Sequence, residues 1–434
     1  MKNNMRVLAG NLICKLKENK AELVLDENII KTIGENCGKT AFVTGTNGTT
    51  TTTNILNHIL EHDNSVISNV TESNMDKSEH KTVVYDGCAK YDWGIFKVDM
   101  AAMPLVSKLI NPDYIIVTNF FRSQLDKYGA EEYTINSVHE SIKPETTLIL
   151  NGDDPSTLYF DDLNNEKIYY SKNHSDFSQR NTHVEDLIFC PKCGARLEYE
   201  YIHYGNIGKY HCPNCGVKNP ISDYTVTDVG INEEGKFEFE VNKKGQIVLN
   251  LLGSYNLYNT IAAISLARKE DIDCETIKNQ IEGIESEKGR MEEFEINGNK
   301  VVLSISKNPV SLTEVLKAAT LDPSEKSLMI ILNDSEIDGE DISWIWDADF
   351  SDILKTGNID NFYCGGSRAE DMAIRLKYED FDLDKIKLCP SKCSMENSIE
   401  DLLNEEGNNS KYIIGTQSAV PQARKILVDK IGDE

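Results

Sequence analysis

Two groups of residues have the types and spacing for chemistry. Cys190 and Cys193 are separated by two residues, as are Cys212 and Cys215, and the pairs sit in tight knuckles, "CPKCG" and "CPNCG". Four thiolates from two turns make a tetrahedral all-sulfur set suited to Zn²⁺. With every position taken by cysteine, none is left for substrate, so the expected zinc is structural. An iron–sulfur or redox role is the other chemistry the pattern allows. The second group is "VTGTNGTTTTT", residues 43–53. Gly45-Thr46-Asn47-Gly48 lies between an apolar run and a helical pattern. Its glycines permit close backbone approach to an anion, and the helix beginning near Thr50 offers free N–H groups and a positive dipole end. Thr50 or Thr51 can lend a hydroxyl to Mg²⁺. The strict phosphate-loop pattern is not met, because Val43 stands at its first glycine and Thr49 at its lysine. A glycine-rich turn that holds no nucleotide is the plainer alternative.

Strands and helices must bring these groups to one place. "TAFVTG", "DWGIFKVDM", "DYIIVTNF" and "TTLILNGDD" read as strands, and "TTTNILNHILEH", "AAMPLVSKLI" and "TINSVHESI" as the helices between them. That alternation predicts an α/β domain with a mainly parallel sheet. Ligands in such sheets gather beyond the C-terminal strand ends, where residues 44–50, 97–100, 118–122 and 151–154 would meet. The pattern breaks near residue 185 into the cysteine segment. It continues with "YTVTDVGINEEGKFEFEV", which alternates like antiparallel strands, and with a long helix in "NLLGSYNLYNTIAAISLARK". A turn at "EKGRMEEF" precedes a second α/β unit built on "NKVVLSI", "SLMIILND", "IDNFYCGG" and "KYIIGT". The expected division is 1–290, with an insertion at 186–222, followed by 291–434.

A chain of 434 residues has room for two or three cores, and a formal net charge of −26 argues against nucleic acid or an anionic membrane as main partner. No apolar run reaches about 18 residues, so no transmembrane segment is expected. The N-terminal segment lacks an export signal. Eleven cysteines, seven of them scattered, suggest a reducing, cytoplasmic setting.

Taken together, these motifs resemble the Mur ligase family, in its MurT branch. "VTGTNGTTTT" resembles the ATP loop, and "NPDYIIVTNFFRSQLDKYG" and "TLILNGDDP" the next nucleotide-domain motifs. "LLGSYNLYNTIAAISLA" resembles the segment whose asparagines, here Asn256 and Asn259, reach ATP. "GRMEEFEINGNKVVLSISKNP", "ILNDSEIDGEDISWIWDADF" and "GGSRAEDMAIRLKY" are similar to the MurT C-terminal domain. The resemblance implies a Mur ligase-like ATPase domain with parallel sheet and inserted zinc ribbon, and a C-terminal Rossmann-like α/β domain. It implies ATP-dependent activation of the D-glutamate α-carboxylate in the lipid II stem peptide. Ammonia from a GatD-like glutaminase partner then gives D-isoglutamine, with Mg²⁺ as the metal of the ATP site. It further implies Arg290 as a phosphate-reaching arginine, Asn308 in a substrate-side motif, and Asp347 or Asp349 assisting the partner's catalytic pair. An ion pair of Arg290 with Glu292 or Glu293, and plain turns at Asn308 and "WDADF", are the structural alternatives. His203, His211, Tyr255 and Tyr258 read as structural.

The departures from that family fall at the chemistry. Thr49 replaces the loop lysine, Lys97 and Met100 stand where glutamates are usual, and Ser123 stands where an aspartate is usual. The segment before residue 40 lacks the usual Gly/Arg-rich stretch, and "ESNMDKS" lacks a Gly-containing loop. Two readings follow. In one, Lys97 supplies the missing cation, and Asp126 or Asp153 holds magnesium. In the other, the site no longer turns over ATP, and the chain serves as a binding or regulatory partner of a glutaminase.

Overall fold

A computed structural model of the chain describes residues 27–70, 89–123, 131–178, 187–355, 358–389, 394–405 and 410–432. Asp126, Cys14, Cys88, Cys393, "ESNMDKS", residues 179–186 and the segment before residue 27 lie outside them. The described residues form two compact units. The first ends at Glu285, and the second begins at Ser286 and also takes in Arg122 and Ser123.

The first unit has strands β1 (Cys37–Thr44), β2 (Val66–Ser68), β3 (Tyr91–Lys97), β4 (Tyr114–Val117), β5 (Thr147–Asn151) and β6 (Lys167–Lys172). They are followed by β7 (Glu198–Tyr204), β8 (Ile207–His211), β9 (Tyr224–Ile231), β10 (Phe237–Val241) and β11 (Gln246–Leu249). Its helices are α1 (Glu27–Glu35), α2 (Thr49–Leu60), α3 (Met103–Val106), α4 (Glu131–His139), α5 (Asn256–Lys269) and α6 (Cys274–Glu282). One sheet runs in the order β11-β10-β9-β6-β5-β4-β1-β3-β2, parallel from β2 to β9 and antiparallel across β9, β10 and β11. β7 and β8 form a separate antiparallel hairpin. The centre of the sheet is apolar on both faces, with Ala41, Phe42, Val43, Ile115 and Ile149 fully buried, as expected of parallel strands covered on two sides. Every residue from Asn256 to Ala267 in α5 is buried, because the helix lies between α2 and the sheet.

Two expected elements differ. The helix read over 101–110 is a 3₁₀ turn, Met100–Ala102, followed by the short α3. Pro104 in its first turn and Pro112 just beyond leave room for little more. The turn read at 287–294 stops at Gly289 (φ +70°), and Arg290 onward is strand.

The second unit has β12 (Arg290–Ile296), β13 (Asn299–Ile305), β14 (Lys326–Ile331), β15 (Ile359–Gly365), β16 (Ile386–Leu388) and β17 (Ser410–Gly415). Its helices are α7 (Pro309–Thr320), α8 (Ser351–Lys355), α9 (Ala369–Tyr378), α10 (Met395–Leu403) and α11 (Ala419–Gly432). The strand order is β12-β13-β17-β14-β15-β16, parallel except for the β12–β13 hairpin. That hairpin turns on Asn297 and Gly298, both at positive φ, as a two-residue hairpin loop requires. Leu303, Met329, Ile413, Ala423 and Leu427 share its core with Cys389.

Candidate nucleotide site and metal centre

The C-terminal ends of β1, β3, β4 and β5 meet at the glycine loop. Val43 pairs with Lys97 and Thr44 with Val117. From the end of β4, the Thr118 hydroxyl donates to the Asn47 carbonyl (2.8 Å). The Asn119 amide accepts from the Asn47 N–H (2.9 Å) and donates to its carbonyl (3.0 Å). The Thr46 hydroxyl donates to the Phe121 carbonyl (3.2 Å) and accepts from the Phe121 N–H (3.0 Å). From β5, Asn151 donates to the Thr118 carbonyl (3.2 Å). The loop is therefore pinned on one side by side chains of ordinary type.

The glycines also have a reason within the protein. A Cβ on Gly45 (φ +136°) would lie 2.2 Å from the Thr118 hydroxyl, and one on Gly48 (φ +80°) 1.9 Å from Asn259 Oδ1. Both glycines are required by protein contacts before any anion arrives. Gly48 supplies no side-chain cap to α2, whose first-turn N–H groups have no acceptors within the helix. Thr49 is the first helical residue and is buried; Thr50, beside it, is half-buried. The Thr44 and Thr52 hydroxyls are buried without a hydrogen-bond partner. A helix start with no side-chain cap from Gly48, close to buried hydroxyls without a hydrogen-bond partner, fits a phosphate group.

Of the two asparagines expected to reach ATP, Asn259 lies at this loop and Asn256 supports it. Asn259 abuts Gly48, its amide donates to Asn256 Oδ1 (2.8 Å), and Asn256 donates to the Leu252 carbonyl (2.7 Å). Lys97 ends β3 beside Val43, and the Val98 N–H bonds the Val43 carbonyl (3.0 Å), which places Lys97 next to the loop. Asp99 caps the following turn through the Ala101 N–H (3.0 Å), and Met100 opens that turn. Ser123 is half-buried just past Phe121.

Asp153 does not have the role suggested for it. It is buried, and its carboxylate accepts from the Lys172 N–H (2.8 Å), the Tyr258 hydroxyl (2.7 Å) and the Asn219 amide (3.1 Å). These bonds make it an internal tie and not a magnesium ligand. Burial pushes its carboxyl up to about 6 from the ordinary 3.8, against the lowering effect of those donors. The folded chain therefore holds this proton more tightly than the unfolded chain. Between about pH 4 and 6, stability from this group falls as pH rises, by about 3 kcal/mol in all. Denaturant unfolding should show the wild type losing stability relative to Asp153→Asn as pH rises across this window. A constant difference between the two would contradict the assignment. Tyr258 is core, packed edge-to-face on His203 and Tyr204. His203 is structural as expected: burial holds it well below its ordinary pKa, with its ring bonded to the Ser178 hydroxyl (2.9 Å) and the Lys172 carbonyl (3.0 Å).

Cys190, Cys193, Cys212 and Cys215 bring their sulfurs within 4.8 Å of one another. Sulfurs of Cys190 and Cys215 are 3.7 Å apart and those of Cys193 and Cys212 3.5 Å. A tetrahedral zinc with Zn–S bonds of about 2.3 Å requires about 3.8 Å, so the set fits that ion. Gly194 and Gly216 (φ +72° and +76°) close the two knuckles by bonding back to the Cys190 and Cys212 carbonyls.

In the second unit, Arg290 pairs with Glu287 (2.8 Å). The expected alternative partner Glu292 instead takes Arg424 (2.9 Å). Asn308 caps α7, accepting from the Ser311 N–H (2.8 Å) in a reciprocal capping box. Asp349 accepts from the Ser351 N–H (2.8 Å) at the start of α8. Asp347 is exposed and lies 3.3 Å from the Arg122 guanidinium, which groups with this unit. Thr118, Asn119 and Phe121 fall within the strand end expected at 118–122 and the motif at 111–129, though without individual roles; Asn219 was not singled out, and only its closeness to the knuckle at 212–216 hinted at it.

Residues 43–267 match the Mur ligase middle domain, and residues 305–420 match the MurT ligase C-terminal domain. The lipid II isoglutaminyl synthase (glutamine-hydrolyzing) subunit MurT of Staphylococcus aureus (strain COL) is 32% identical over 362 residues, covering 83% of this chain and 82% of that one. The subunit of the same name from Streptococcus pneumoniae (strain ATCC BAA-255 / R6) is 31% identical over 422 residues, covering 95% and 92%. Among solved structures, a pseudomurein peptide ligase type C from Methanothermus fervidus has a TM-score of 0.69 at 24% identity, covering 95% of this chain and 82% of that one. The MurF ligase from Thermotoga maritima, solved with ADP, has a TM-score of 0.64 at 14% identity, covering 96% and 88%. These two likenesses bear out the fold.

Proposed function

Because the chain belongs to the Mur ligase family, in its MurT branch, we propose that it is the ATP-using subunit of a glutamine-hydrolysing amidoligase that amidates the D-glutamate α-carboxylate of a lipid II-type stem peptide. The carboxylate attacks the γ-phosphorus of ATP, ADP leaves, and an acyl phosphate forms. Ammonia released by a GatD-like glutaminase then adds to the acyl carbon and expels phosphate, leaving the carboxamide. The protein's part is to position groups and neutralise charge. The observation that carries this reading is the convergence at residues 45–48, where strand ends, the start of α2 and Asn259 surround one loop.

Each group has a role within that reading. The first turn of α2 and the Thr49 and Thr50 hydroxyls hold phosphate, Asn259 fixes the loop it lies against, and Asn256 holds Asn259 in place. Lys97 supplies the positive charge that a loop lysine would give, and Mg²⁺ accompanies the phosphates. Arg290 is the arginine that the family resemblance offers as a phosphate contact. The four cysteines hold structural zinc, which supplies folding energy to the ribbon.

The test combines the chain with a glutaminase of this kind, ATP, Mg²⁺, glutamine and lipid II, and follows conversion of carboxylate to carboxamide by mass spectrometry. Glutamine hydrolysis with no ATP consumption and no amidated lipid would sink the reading. Within the same assay, the two aspartates separate. Asp347→Asn is expected to lower glutamine hydrolysis while ATP binding stays unchanged. Asp349→Ala, which removes the acceptor of the Ser351 N–H, is expected to cost about 1 kcal/mol of stability and little activity. The opposite ranking would move the assignment to Asp349.

A further inference from the structure

We propose that Tyr204, Asn219 and Tyr258 are positioning residues through which the cysteine ribbon seats the nucleotide loop, so that the metal state of the ribbon sets nucleotide affinity. The proposal rests on the nucleotide-site reading above.

Two separate paths run from the ribbon to the loop. The first starts at the tip of the β7–β8 hairpin. The Tyr204 ring lies 5.8 Å from that of Phe121, and Gly205 packs so closely that a Cβ there would come within 2.6 Å of it. Phe121 in turn holds the Thr46 hydroxyl with both its N–H and its carbonyl. The second path starts at Asn219, just past the second knuckle. Its amide nitrogen reaches the Gly152 carbonyl (3.1 Å), the Gly208 carbonyl (2.9 Å) and Asp153 (3.1 Å), while its oxygen accepts from the Tyr210 N–H (2.8 Å). Asp153 takes the Tyr258 hydroxyl on its other oxygen, and the next residue on α5, Asn259, lies against Gly48. The two paths reach the Gly45–Gly48 turn at different points, Thr46 and Gly48.

The ribbon cannot hold these contacts unaided. Its apolar cluster is Cys190, Leu197, Tyr210 and Cys212, packed with Leu158 of the sheet domain, and its sheet is a two-stranded hairpin. A hairpin with so small a core is marginal in water, and a structural metal supplies the missing folding energy. Loss of the metal therefore loosens both paths together.

The test measures binding of a fluorescent ATP analogue with Mg²⁺ to the full chain, with bound zinc quantified in parallel. Stripping zinc is expected to weaken binding about tenfold or more, and adding it back to restore binding. Tyr258→Phe and Asn219→Ala, with zinc still bound and the fold intact by circular dichroism, are each expected to weaken binding roughly three- to tenfold. Tyr412→Phe removes a comparable tyrosine–aspartate bond in the second unit (3.0 Å to Asp322). It should lower the melting temperature and leave the affinity alone. Should zinc stripping unfold the domain, the two zinc-loaded variants decide. Wild-type affinity in both overturns the coupling. Failure of the untreated chain to bind the analogue removes the nucleotide reading itself, and the coupling with it.

Discussion

Lys97→Met in the assembled synthase should lower ATP consumption by roughly 10²-fold, and the exchange Thr49→Lys with Lys97→Glu should bring it back. The transferred phosphoryl group carries negative charge that a neutral threonine at the helix start cannot balance. One charge-assisted contact in a partly buried site is worth a few kcal/mol, which sets that scale. Lys97 occupies the last position of β3, in register with Val43, two residues before the loop begins on the adjacent strand. A cation there can serve the loop from the side, whereas the family places its lysine within the loop. If Lys97 acted instead as a repeller of magnesium, Lys97→Met would raise turnover or leave it unchanged. A gain from that single change, measured as steady-state phosphate release with lipid II and glutamine present, therefore overturns the moved-charge account. Loss in the single variant with recovery in the exchange identifies one charge served from two positions.

Residues 43–53 and the paired cysteines were legible because their chemistry is local. A glycine turn before a helix, or two C-x-x-C knuckles, carry their meaning within a few residues. The asparagines of α5 were legible only through family resemblance, since nothing in "SYNLYN" says which loop it meets. Thr118, Asn119 and Phe121 were legible as part of a strand end at the site, but their individual roles were not, because those arise from sheet order: β4 lies beside β1, so residues about 70 apart in the chain share hydrogen bonds. Asp153 was misjudged for a related reason. A carboxylate in "NGDDP" looks available to a cation until Tyr258 and Asn219 arrive from residues far along the chain to occupy it. Asp349 shows the reverse case. Its cap on Ser351 is a short-range motif, Asp-x-Ser before a helix, and could have been separated from Asp347 by spacing alone.

Gly48→Ala tests whether the loop glycine serves the anion or the protein. The substitution places a side chain at φ +80°, which costs about 1–2 kcal/mol for a left-handed residue. It also drives a Cβ to 1.9 Å from Asn259 Oδ1. Asn259 does not give way freely, because its nitrogen is bonded to Asn256 and that residue to the Leu252 carbonyl. Overpacking of this kind costs about 1–3 kcal/mol more. Gly48→Ala should therefore lower unfolding free energy by about 2–5 kcal/mol, even with no nucleotide present. Asn259→Ala removes the obstructing oxygen but not the backbone strain. In the double variant it should recover the packing part, a coupling of about 1–3 kcal/mol in a double-mutant cycle. If the glycine only lets phosphate approach, Gly48→Ala would weaken ATP binding with stability intact, and Asn259→Ala would restore nothing. Stability loss with partial rescue shows instead that α5 and the loop are fitted to each other first, and that the nucleotide binds to a turn whose shape the protein has already fixed.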